Sequence, residues 1–211
     1  MFKVKEIFSS IQGEGFYTGR PAVFLRFAGC NLWNGKLKDK QNAICNFCDT
    51  DFVGTDGQNG GTYSLNQIIE KVEQVWNQKY KAIQKFIVLT GGEPMLQTNS
   101  SLVQSLKQKG FFVALETNGT IDININFDWI CVSPKNLNLW KVKKGDELKI
   151  IYPQSKFNLN YLKKLNFKYF FLQPLDDSKK KQVNIMKTID YCRSHKPWFP
   201  SFQIHKTLNV N

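Results

Sequence analysis

At 211 residues, 42% of them hydrophobic and 14% aromatic, the chain can form one domain with its own core and is too apolar for a disordered tail. No stretch reaches the roughly 18 apolar residues of a membrane span, and residues 2–5 open no signal-peptide pattern, so a cytoplasmic protein without a membrane partner is expected. The formal charge of +12 raises nucleic acid as a partner, yet only Lys179-Lys180-Lys181 forms a run, so a solvated basic surface fits better.

Residues 4–9 read as a strand that enters the turn IQGEGFYTGRP. Gly13-Glu14-Gly15 is no dinucleotide fingerprint, because the third glycine is misplaced and no helix pattern follows. Ile11, Gln12, Gly13 and Glu14 put backbone groups, an amide and a carboxylate together, which suits the donor-and-acceptor edge of an aminopyrimidinone. A hairpin turn with an exposed glutamate fits the same residues. Residues 22–27 read as a buried strand holding Arg26, which needs an anionic partner, either a structural carboxylate or a ligand.

Three of the five cysteines come next: Cys30, fourteen residues, Cys45, two residues, Cys48. Soft thiolates select zinc, copper(I) or iron–sulfur. A structural zinc or a self-contained iron–sulfur site wants four ligands, and neither histidine, His195 or His205, lies near. Two centres therefore fit. One is a zinc knuckle completed by Cys131, Cys192 or an aspartate; the other has three ligands and a position open for chemistry. Asp49-Thr50-Asp51 after Cys48 offers hard oxygen atoms, which suit magnesium or simply cap a loop.

Ser64 and Gln67 form a capping box, and Ile68, Ile69, Val72, Val75 and Trp76 follow helical periodicity. A strand over residues 86–90 ends in Thr90-Gly91-Gly92-Glu93-Pro94, whose glycines permit close backbone approach and whose carboxylate can bind an ammonium. A helix over 100–109 is stopped by Gly110. Strands over 111–116, 129–133, 147–152 and 169–173 follow; polar motifs close three of them, at Glu116-Thr117-Asn118-Gly119, Ser133-Pro134-Lys135 and Gln173-Pro174-Leu175-Asp176. A helix over 178–195 precedes a last strand over 201–204. Cys131, in an apolar strand, and Cys192, in that helix, read as buried structural thiols.

This alternation, with polar motifs where strands end, is the grammar of a β/α barrel. About 200 residues is short for eight units, so the expected fold class is α/β, an incomplete TIM-like barrel of about six parallel strands. The expectation is a single domain over 1–211, with the cysteine loop, residues 28–52, inserted after the first barrel strand. An open barrel side invites a homodimer.

Three cysteines followed by a GGEP strand end resemble the radical S-adenosylmethionine (SAM) superfamily, in which three cysteines hold a [4Fe–4S] cluster and SAM chelates the fourth iron. The usual superfamily spacing places three residues between the first two cysteines. Fourteen here, with QGEG before and CDTDF after, is similar to the 7-carboxy-7-deazaguanine synthase family, and the likeness runs from IQGEG to IHKTLN. It implies that Cys30, Cys45 and Cys48 hold the cluster and that Thr50 ligates Mg²⁺. It implies SAM contacts from Phe47 and Asp49, from Gly92 and Glu93, from Glu116 and Asn118, from Ser133, Pro134 and Lys135, and from Gln173, Pro174, Leu175 and Asp176. For the substrate it implies Ile11, Gln12, Gly13, Glu14 and Thr90 around a pterin, Arg26 and His205 at its carboxylate, and the terminal carboxylate of Asn211 at its amino edge. The implied reaction converts 6-carboxy-5,6,7,8-tetrahydropterin to 7-carboxy-7-deazaguanine with loss of ammonia, toward queuosine and related 7-deazapurines. The implied electron donor is a flavodoxin or ferredoxin. Two other classes stay open: another radical SAM enzyme such as a glycyl-radical activase, against which the IQGEG segment stands, and a non-catalytic zinc- or nucleic-acid-binding module.

Overall fold

The computed structural model describes residues 1–80 and 84–210. Among the described residues, nine strands form one sheet: β1 (Phe2–Ile11), β2 (Pro21–Phe27), β3 (Gly61–Tyr63), β4 (Phe86–Gly91), β5 (Phe112–Thr117), β6 (Trp129–Val132), β7 (Lys144–Tyr152), β8 (Asn166–Pro174) and β9 (Trp198–Pro200). Their spatial order is β3-β1-β2-β4-β5-β6-β7-β8-β9, with β1 antiparallel to both of its neighbours. From β2 to β9 every pairing is parallel, which makes seven parallel strands where the sequence suggested about six. The sheet is a partial β/α barrel, and its edges, β3 and β9, are three residues each.

The described residues also form the α-helices α1 (Leu65–Lys79), α2 (Ser100–Gln108), α3 (Leu159–Leu162), α4 (Lys181–Ser194) and α5 (Ile204–Leu208). The capping box forms, since Ser64 accepts from Gln67 N and Gln67 returns a bond to Ser64 N. α1 packs on β1 and β2 and α2 on β5, burying the stripe Ile68, Ile69, Val72, Val75 and Trp76. Each fully buried side chain of that size stabilises by about 1.5–3 kcal/mol. α4 lies on β8 and β9 but buries Asn184 and Thr188 instead of an apolar stripe. Asn184 Nδ2 donates to Leu175 O at 2.9 Å, so this helix fixes the loop after β8.

The barrel floor is aromatic. The segment after β1 passes down the barrel, and Tyr17 packs against Phe86, Phe112 and Trp129, which stand at the starts of β4, β5 and β6. Phe16 stacks on Trp129 and lies 4.3 Å from Tyr169, while the Arg20 guanidinium sits 4.1 Å above Phe86.

One strand is displaced from its expected place. Residues 201–204 alternate as a strand would, yet β9 lies earlier, at Trp198–Pro200, because buried Trp198 packs edge-on against Phe170 at 5.5 Å. Ser201 N makes one last bond to Leu172 O. The chain then crosses the barrel mouth, where Ile204 N donates to Gly13 O at 3.0 Å and α5 begins.

Candidate active site

The C-terminal ends of the parallel strands surround one cavity of about 360 Å³. Cys30, Cys45 and Cys48 all line it, whereas Cys131 and Cys192 do not. Cys30 follows β2, and the returning loop brings up Cys45 and Cys48, with Phe47 between them. Cys45 and Cys48 share a hydrogen bond, which drives the Cys45 thiol far up and lowers Cys48 to about 6. Burial raises Cys30. Among the described residues no three His, Cys, Asp or Glu converge on a single ion. Thr50 lines the same cavity.

At the end of β4, Gly91 and Gly92 cross the start of the cysteine loop. A Cβ on Gly92 would lie 2.2 Å from Gly29 O and 2.7 Å from Cys30 Cβ, so only glycine lets the strands approach. Glu93, expected at an ammonium, is fully buried and outside the cavity lining. Its carboxylate accepts from Thr117 Oγ1 at 2.7 Å, Asn118 N at 2.8 Å and Met95 N at 3.0 Å, tying the ends of β4 and β5 together. Pro134 is likewise buried and outside the lining. Asn118 lines the cavity while its Nδ2 donates to Asn31 Oδ1 at 3.0 Å. Ser133 accepts from Lys135 Nζ at 2.6 Å, and that ammonium lies 6.0 Å from the Phe47 ring. Gln173, Pro174, Leu175 and Asp176 complete this wall.

Ile11, Gln12, Gly13, Glu14, Arg26, Thr90 and His205 line the same cavity, and Glu116, expected at SAM, stands beside Gln12 among them. Glu14 is no exposed hairpin tip; its side chain is 14% accessible. Gln203 Nε2 donates to its Oε1 at 2.8 Å, Gln173 Nε2 to the same oxygen at 3.2 Å, and Lys149 pairs with its Oε2. Burial pushes Glu14 up, but the Lys149 charge together with the hydrogen bonds from Lys149 and Gln203 outweighs that and holds it low. Gln12 Nε2 donates to Glu116 Oε1 at 2.8 Å. Arg26 finds a structural carboxylate, Glu6 Oε1 at 2.7 Å, while still facing the cavity. Asn211 lies outside the described residues.

No family model matches the chain. It is 47% identical over 210 residues to 7-carboxy-7-deazaguanine synthase of Burkholderia multivorans, and 45% identical to that of Bradyrhizobium diazoefficiens, with 99% of both chains covered in each case. The chain belongs to the 7-carboxy-7-deazaguanine synthase family. The crystal structure of QueE from Escherichia coli superposes with a TM-score of 0.71 at 23% identity, covering 96% of this chain and 93% of that one, which shows the shared fold.

7-Carboxy-7-deazaguanine synthases are radical SAM enzymes, so family membership brings an iron–sulfur cluster and SAM. The residues present fit that pair: three thiols on one wall, and a cavity that continues past them to a polar wall. Several residues of this 7-carboxy-7-deazaguanine synthase site escaped the sequence. Lys149 is 4% exposed, in the middle of β7. Gln203 and Lys206 flank His205 on α5 and its approach; Lys206 Nζ bridges Asp49 at 2.5 Å and Asp176 at 2.6 Å. A lysine within an otherwise apolar KIIY run was the one available signal. Gln173 Oε1 is buried and has no partner among the described residues.

Proposed function

We propose that the chain converts 6-carboxy-5,6,7,8-tetrahydropterin to 7-carboxy-7-deazaguanine with loss of ammonia, a step toward queuosine and related 7-deazapurines. One observation carries this reading: Cys30, Cys45 and Cys48 line the same cavity as Gln12, Glu14, Glu116 and Arg26. When bound, the cluster and SAM supply the electron and the hydrogen-abstracting radical. The protein's part is position, charge and dryness. Cys30, Cys45 and Cys48 hold the cluster. Phe47, Asp49, Gly92, Ser133, Lys135, and the residues 173–176 embrace SAM.

Glu14 and Gln12 accept from and donate to the pterin ring edge, and Arg26 with His205 meets its carboxylate. Burial lowers His205, so it is a neutral donor at neutral pH. Thr50 would ligate a Mg²⁺ that also binds the substrate carboxylate, since Mg²⁺ takes few protein ligands. The reading further includes one domain across the chain, a homodimer covering the open side, and a flavodoxin or ferredoxin as electron donor.

The test is anaerobic turnover. Reconstituted protein with SAM, a reductant and the carboxytetrahydropterin should give 7-carboxy-7-deazaguanine and ammonia. Cys30→Ala should lose both cluster and product, and Thr50→Ala should blunt the response to added magnesium. SAM cleavage without any change in the pterin would overturn the substrate assignment.

A further inference from the structure

Lys149 occupies a strand interior, where an apolar side chain is the rule. Alternation along β7 turns Leu148 and Ile150, at most 1% exposed, to one face and Glu147 and Lys149 to the other. A lysine that is 4% exposed cannot serve solubility, and an ammonium is held there only if paired. Its Nζ meets Glu14 Oε2 in a short ion pair and lies 3.6 Å from Glu116 Oε2.

The charged and titratable groups around it come from every packed element. Glu14 follows β1, Glu116 ends β5, Cys131 lies on β6, Lys135 follows β6, and Glu147 shares β7. His205 of α5 faces Glu14 and Glu116 from the mouth. Two carboxylates crowded into one enclosed site repel each other unless a cation sits beside both. Each also has one oxygen pinned by an amide: Gln203 on Glu14 Oε1 and Gln12 on Glu116 Oε1, both at 2.8 Å. At 3.6 Å, Glu116 Oε2 is beyond firm hydrogen-bond distance from the ammonium, so its lone pairs remain for a donor in the cavity. Gln173 points the same way, since its Nε2 is committed to Glu14 and its buried Oε1 is an acceptor without a partner.

We infer that Lys149 is the positioning residue of the substrate site: acting through Glu14 and Glu116, it holds both carboxylates in place, aimed at the N–H donors of an aminopyrimidinone ring. This role rests on the pterin reading above. It groups the carboxylates Glu14 and Glu116 around one buried ammonium, with Gln173 bonded to the first of them.

The experiment uses holoenzyme carrying cluster and SAM, and measures pterin Kd by equilibrium binding beside iron content and SAM affinity. Lys149→Met should weaken pterin binding about tenfold or more, the scale of a broken buried charge pair. Iron content and SAM affinity should stay at wild-type levels. Lys149→Arg should recover most of the loss. Because Lys149 acts through Glu14, adding Lys149→Met to Glu14→Gln should weaken binding little beyond Glu14→Gln alone. If Lys149→Met does not fold, that last comparison decides, since the double variant removes both members of the buried pair. Losses that multiply in the double variant, an unchanged Kd in Lys149→Met, or an equal fall in SAM affinity would each overturn the role. A wild-type protein that binds SAM but no pterin would instead overturn the substrate reading, and this role with it.

Discussion

Gly13 shows how closely single residues are set against each other here. A Cβ built at Gly13 would lie 1.9 Å from His205 Nδ1, so the imidazole rests on bare backbone. Gly13→Ala should push the ring out of the cavity without unfolding the chain, because the obstructing atoms belong to a movable side chain. The expected result is a pterin KM raised several-fold with SAM affinity unchanged; an unchanged KM would remove His205 from the substrate site. Glu14 makes a pH prediction. Its folded value lies below the ordinary 4.5, so its stabilising contribution is complete above 4.5 and is lost as pH falls through the folded value. Denaturant titrations of wild type and Glu14→Gln should therefore show a stability gap that narrows with acidification below about 4.5 and is flat through neutrality. Glu93 and Glu147 run the other way, because burial raises both and they favour folding more as they protonate.

At the scale of elements, α5 is a short helix held in place from outside itself. Lys206 joins Asp49 of the cysteine loop to Asp176 beyond β8, and burial, which lowers its affinity for a proton, is outweighed by hydrogen bonds to those two carboxylates. Lys206→Ala should speed amide exchange over residues 204–208 and raise the SAM KM a few-fold. Exchange that does not change would mean that α5 is held by Ile204 and Gly13 alone. Elements with a strong local signal were legible in the sequence: α1 from its cap and stripe, β4 and β8 from their apolar runs and closing motifs. The misplacement of the last strand came from reading alternation in residues 201–204 without the buried Trp198 that sets the register. GGEP was legible as a strand end, but not the inward turn of Glu93, since its three donors come from Met95 and from β5 and the residue after it. Lys149 was invisible for the same reason: what makes it tolerable is Glu14, 135 residues away in the chain.

On the scale of the molecule, the chain carries a net charge of +12 and is proposed to take an anionic substrate. Steering by such a field is screened by salt. The prediction is that kcat/KM for the carboxytetrahydropterin falls as ionic strength rises while kcat holds; a flat response would leave the basic surface without this role. The two short sheet edges, with Phe199 56% exposed on β9, are where a second copy would cover the barrel, and sedimentation at working concentration checks it. The aromatic floor has a different consequence. Gln12 and Glu14 at the cavity wall are continuous with Phe16 and Tyr17, which seal the strand starts below. A β/α barrel ordinarily changes its substrate by exchanging loops while its frame stays fixed. Here the segment proposed to read the substrate is also the stopper of the barrel, so it cannot be swapped as a module. Altered specificity must come from point changes that leave residues 15–20 in place, and grafts from relatives should carry the floor with them.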